Sequence, residues 1–276
     1  MKFFYLLVIS SILSQPLFAQ YGPVRQSPYE TSWVDGAISA AGVGLSYWGL
    51  RLMMKKKAVT EEELQWMDAN PEAARADIPF FDRWAIDFYV PEARANQISD
   101  IPFYASFGLP FLFLADERTR SDAGQIGLLY LETMAITGAL FAQVNGRVNR
   151  KRPNVYSPEA SMEIRRDDKS QNSFYGGHIT ATAAATFFTA KVFNDYFPDS
   201  PAKPYVWAGA AAVPALVGYY RMRAGKHFLS DNLIGYAIGA GVGILVPHLH
   251  KEVENLSLSP GQTLQGASTI RFRYRF

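Results

Sequence analysis

The chain has 276 residues, 49% of them hydrophobic and 14% aromatic, enough to bury the core of one large domain. A formal net charge of +2, with no basic stripe interleaved with aromatics, gives no footprint for nucleic acid as a partner. The absence of cysteine excludes disulfides, thiolate metal sites and cysteine nucleophiles, and four histidines remain for imidazole chemistry.

In chain order, Met1-Lys2, the apolar run Phe3 to Leu13 and the small residue Ala19 make a bacterial-type secretory signal over residues 1–19, which would place the rest of the chain on the exported, periplasmic side. The same run also reads as an uncleaved anchor helix. Residues 20–35 are an extended lead-in, because Pro23 and Pro28 oppose helix. Apolar segments follow at roughly 36–54, 101–115, 124–146, 178–194, 205–220 and 232–247, each long enough for several helical turns. They predict an all-α fold: a helical bundle with a six-helix core, forming a single domain over 36–250. Thr60-Glu61-Glu62-Glu63 reads as a capping-box start for a short polar helix, and Ile78 to Val90 as an amphipathic one. In the tail, 251–276, Ile270, Phe272, Tyr274 and Phe276 alternate with arginines, which predicts a short strand or hairpin.

The apolar segments suggest membrane association. Ile101 to Ala115 and Pro204 to Tyr220, however, fall at or below the roughly 18 residues expected of a span. If all six crossed with the chemical end outside, Lys55-Lys56-Lys57 would also lie outside, against the positive-inside tendency. The expectation is therefore a globule resting on the membrane, or a bundle whose first segment does not span.

Three stretches carry chemistry. They are Asn149 to Tyr156, Ser173 to His178, and Arg221 to Asp231. With His227 and Asp231 four residues apart on a helix, the carboxylate would accept from one imidazole nitrogen and leave the other as a nucleophile of fixed tautomer. Arg152 and Arg221 offer guanidinium forks for phosphate oxygens. Gly176 and Gly177 precede a helix opened by His178, so their N–H groups could approach an anion, and His178 would protonate a leaving alcohol.

These residues resemble the phosphatidic acid phosphatase type 2 and vanadium haloperoxidase superfamily. Its motifs are Lys, six residues, Arg-Pro; then Pro-Ser-Gly-His; then Ser-Arg, five residues, His, three residues, Asp. Arg152-Pro153, Gly177-His178 and Arg221, His227 and Asp231 stand at the matching positions over about 90 residues, from Asn145 to Gly235. Asn145 replaces the first-motif lysine, Tyr175 and Gly176 replace Pro-Ser, and Tyr220 replaces the third-motif serine. Arg147, Arg150, Lys151 and Lys226 are the nearby cations that would compensate for the lysine. The resemblance implies a helical bundle and a two-step phosphatase. His227 attacks phosphorus, Arg152, Arg221 and the Gly177 amide hold the oxygens, and His178 first protonates the leaving group and then activates water. No metal or other cofactor is implied, and no carboxylate-rich cluster is visible along the chain. The implied substrate is a phosphorylated lipid, such as phosphatidic acid, phosphatidylglycerol phosphate, a polyprenyl pyrophosphate or lipid A, or else a soluble small-molecule phosphate.

Two other readings stand beside it: a catalytically weakened member that binds phosphate head groups, and a vanadium-dependent haloperoxidase. Oligomeric state is not legible. Glu132, a carboxylate in an apolar segment, reads as half of a buried pair with an arginine. His248 and His250 read as a helix end near solvent.

Overall fold

The computed structural model describes residues 27–90 and 93–251 and the backbone of 256–262 and 268–274; the expected signal segment 1–19 and the start of the lead-in lie outside the described residues. The first long helix, α1 (Trp33–Met53), begins earlier than 36 because Ser32 caps it. Its hydroxyl accepts from Val34 N at 3.2 Å while the Asp35 carboxylate takes the Ser32 N–H, satisfying two donors of an open helix end. The other long helices are α2 (Ala93–Gly108), α3 (Ala123–Asn145), α4 (Gly177–Tyr196), α5 (Lys203–Arg223) and α6 (Leu229–Leu249). The chain is thus mostly helical, as its apolar segments predict. Two strands, Leu256–Gln262 and Ser268–Tyr274, pair antiparallel after the last helix.

Helix α4 runs through the middle, packed against α6, α5, α3 and α2, while α1 lies on α3. Its Ala183, Ala184, Ala185 and Phe188 are fully buried, the pattern of a helix covered on all sides. One apolar cluster joins Leu129 of α3 to Phe188, Val192 and Phe193 of α4 and Val246 of α6. At Gly239 an added Cβ would lie 2.1 Å from the Thr180 carbonyl oxygen, so glycine is what lets α6 close on α4. That contact sets the starts of the two helices side by side, and Gly176 N donates to the Asp231 carbonyl across the junction at 3.0 Å.

Two local expectations are corrected. Ile78 to Val90 is a set of turns with one short helix, Trp84–Asp87. Asp82 is fully buried there, and its carboxylate accepts from Ser230 N at 3.0 Å, so tertiary pairing overrides the amphipathic pattern. Segment 101–115 is also divided: α2 ends at Gly108 and a 3-10 stretch, Leu109–Ala115, carries Pro110 at its start, where the missing N–H ends the α-ladder.

Among the described residues, three segments are long and apolar enough to cross a membrane: Arg94–Ala115, Ala123–Asn145 and Leu229–Leu249. Large side chains along them face outward, including Ile101, Phe111, Leu112, Leu233 and Leu249. An apolar exterior of that extent supports membrane association. Helix α1 is outside this set.

Candidate active site

The turn after α5 brings the distant motifs together. Gly225 N donates to Met222 O at 2.8 Å and Lys226 N to Arg221 O at 3.0 Å, the paired bonds of a Schellman ending, with Gly225 left-handed at φ 63°. The Gly225 carbonyl then accepts from Asn154 N at 3.1 Å, which lays this turn on the Arg152-Pro153 segment. A Cβ at Gly225 would meet Tyr89 at 2.6 Å and Asn154 at 2.7 Å. Gly225→Ala is expected to cost about 2 kcal/mol from left-handed strain and crowding together. A thermal unfolding midpoint equal to wild type would contradict this.

His227 lies outside the helix, because α6 starts at Leu229 with Phe228 as its cap. The anticipated bond between His227 and Asp231 on one helix is therefore corrected. The His227 Nδ1–H donates instead to the Ser173 carbonyl oxygen at 2.7 Å, since a carbonyl can only accept. The outcome for the ring is the same: Nδ1 keeps the proton and Nε2 keeps a lone pair. Asp231 acts one step removed. Its carboxylate accepts from Ser173 Oγ at 2.6 Å and Phe228 N at 2.9 Å, and is paired with Arg150. It thus anchors the residue whose carbonyl orients His227.

Arg152 and Arg221 are both buried, and the Nε atom of each lacks a hydrogen-bond partner. Arg221 is steadied by Asn96 Oδ1 and lies 4.0 Å from Asp100. The two guanidiniums stand in one another's field: burial first, then Arg152, holds Arg221 down to about 10, and burial holds Arg152 at about 10 as well. Both also act on both imidazoles. Burial, then Arg221 and Arg152, pushes His227 far below its ordinary value; burial, Arg221, Arg152 and Lys169 push His178 down to about 3. Two imidazoles and two guanidiniums from three stretches of chain thus stand in one another's fields, and the two buried guanidinium Nε atoms that lack a hydrogen-bond partner suit an anion.

His178, in the first turn of α4, has its Nε2 3.4 Å from Asp100 Oδ1 and its ring 4.2 Å from that of Phe103. Gly177 is the first residue of α4, so its N–H has no intrahelical acceptor. Gly176 is a second correction: its N–H is committed to Asp231 O, which leaves it unable to serve as an anion donor.

Of the cations near the missing lysine, Arg150 pairs with Asp82 and Asp231, Lys151 with Glu63, and Arg147 with Gln143 and the Trp48 ring. Burial and the fields of Arg152 and Arg221 lower Lys226 to about 8. Asn145 has become structural, donating to Phe174 O at 2.9 Å and so holding the loop before His178.

Asn96, Asp100 and Phe103 were missed. They occupy one face of α2 at spacings of four and three, a signal the sequence carries, although Asn96 and Asp100 lie ahead of the apolar run read as segment two. Ser173 was quoted as part of a motif but given no role.

No curated protein matches the chain. A solved structure, the transmembrane PAP2 type phosphatidylglycerolphosphate phosphatase from Bacillus subtilis, is 18% identical, with 75% of this chain and 94% of that chain covered and a TM-score of 0.45. The family model of the PAP2 superfamily matches residues 126–254, which span the Arg152-Pro153, Gly177-His178 and Arg221 to Asp231 motifs. Over that stretch the chain is similar to the PAP2 superfamily.

Proposed function

We propose that the protein is a phosphatase that hydrolyses lipid-linked or small-molecule phosphate esters through a phosphohistidine on His227. The observation that carries this reading is a neutral His227 whose Nδ1 proton is held by Ser173 O, set near two buried guanidiniums whose Nε atoms have no hydrogen-bond partner. A phosphoryl group would fill that deficit. Its oxygens would be held by Arg152, Arg221, Lys226 and the Gly177 N–H, while Nε2 attacks in line and the P–O bond to the leaving alcohol breaks. His178 gives the departing oxygen a proton, then takes one from the water that cleaves the P–N bond. No step in this scheme needs a metal. The apolar exterior favours a lipid phosphate, and export by the amino-terminal segment would place the site on the periplasmic side.

The pH dependence follows from charge. With no anion bound, His178 is held down to about 3 and carries no proton at neutral pH. The acid proton must therefore arrive with the substrate, whose monoanion gives way to the dianion near about pH 6. The value of kcat/KM is expected to fall by about tenfold per unit above that point. A profile flat into the alkaline range would contradict this proton source.

The decisive measurement is phosphate release from a panel of lipid and soluble esters by the purified full-length protein, beside His227→Ala. Vanadate or phosphate binding without turnover on any ester would favour the head-group-binding reading. Bromination with added vanadate and peroxide would favour the haloperoxidase.

A further inference from the structure

A second cluster of ionisable groups lies at the opposite end of α6, about 30 Å from His227 along the helix axis. Asp35 comes from the first turn of α1, Glu132 from the middle of α3, and His250 from just beyond α6. Two expectations are corrected: Glu132 meets His250 where an arginine was anticipated, and His250, read as a helix end near solvent, turns inward to it.

The His250 Nδ1–H donates to Val246 O at 2.8 Å, so in the neutral ring Nε2 carries the lone pair. That nitrogen lies 3.1 Å from Asp35 Oδ1 and 3.5 Å from Glu132 Oε2, and the three donor atoms all fall within 4.8 Å of one another. Asp35 and Glu132 are buried, the Glu132 side chain only 4% exposed, and Glu132 Oε2 has no hydrogen-bond partner. Three electron-pair donors therefore face one point. A proton on Nε2 would leave one net negative charge buried, which is costly. The nearby lysines do not relieve it, since Lys191 and Lys251 are paired with Asp195.

A divalent cation neutralises both carboxylates. Tetrahedral zinc, with bonds of about 2.0–2.2 Å to nitrogen and oxygen, requires donor atoms about 3.3 Å apart, and the observed 3.1 and 3.5 Å bracket that spacing. The mixed imidazole and carboxylate set suits zinc, and the bond from Nδ1–H to a backbone carbonyl is the usual outer support of a metal-bound histidine. We propose that Asp35, Glu132 and His250 bind one zinc ion, a clip that ties α1 and α3 to the end of α6 and neutralises a carboxylate on an apolar helix.

The test uses the full chain purified on a tag free of histidine, stripped with a chelator and titrated with Zn²⁺ and Co²⁺. One saturable ion per chain, a four-coordinate Co²⁺ visible spectrum and a higher unfolding midpoint with zinc are expected. Glu132→Gln and His250→Gln should each weaken binding by at least about 100-fold, beyond the loss of an outer-shell partner alone. His227→Ala should bind zinc as the wild type does. Absence of saturable binding to stripped wild-type protein would overturn the proposal even if the cluster variants failed to fold. So would undiminished binding in both of them, or loss of binding in His227→Ala.

Discussion

His227→Ala is expected to reduce phosphate release by roughly 10⁴-fold or more, because the variant has no atom to carry the phosphoryl group and the remaining cations only bind it. Vanadate binding should survive in the variant, since Arg152, Arg221 and Lys226 are untouched. A covalent phosphoryl adduct, labile in acid and stable in base, should be trapped on quenched wild-type protein and be missing from the variant. Turnover near the wild-type rate would remove His227 from the chemistry and with it the proposed mechanism.

The largest expected loss of stability comes from Arg150→Met. Arg150 Nη2 lies 2.7 Å from Asp82 Oδ2, its Nη1 pairs with Asp231, and its guanidinium sits 4.5 Å over the Phe228 ring. Both carboxylate side chains are 0% exposed. Taking away the shared cation leaves two buried charges uncompensated, and the expected cost is about 3–5 kcal/mol. Arg150→Lys should recover only part, since an ammonium cannot span the two carboxylates as a planar fork does. Activity should fall along with stability, because Asp231 fixes Ser173 and Ser173 fixes the His227 tautomer. Chemical unfolding of the variant within about 1 kcal/mol of wild type would show that the bridge contributes little.

Much of the architecture was legible because apolar residues recur along uninterrupted stretches, and a chain with so few competing turns has little alternative to burying them as helices. The reading failed at Ile78 to Val90, where periodicity matched a helix while Asp82 was needed elsewhere as a buried partner for Arg150 and Ser230. Local pattern cannot register a demand made by residues far along the chain. The same limit explains the α2 contribution. Asn96 and Asp100 are ordinary polar residues in sequence, and only the packing of α2 on α4 and α5 sets them beside His178 and Arg221.

For the site, residue types and spacing by themselves determined a chemical repertoire: two imidazoles, two guanidiniums and a glycine-led helix start, in an order that resembles the PAP2 motifs. They also marked Asn145 as a departure from it. Tertiary structure alone decided how those groups are held. A backbone carbonyl takes the place expected for the Asp231 carboxylate, and Gly176 spends its N–H on joining α4 to α6. It also decided that Asp35, Glu132 and His250 meet. The reason is physical: covalent spacing fixes neighbours only within a turn or two, whereas hydrogen-bond partners and shared fields depend on which helix ends the buried core brings together.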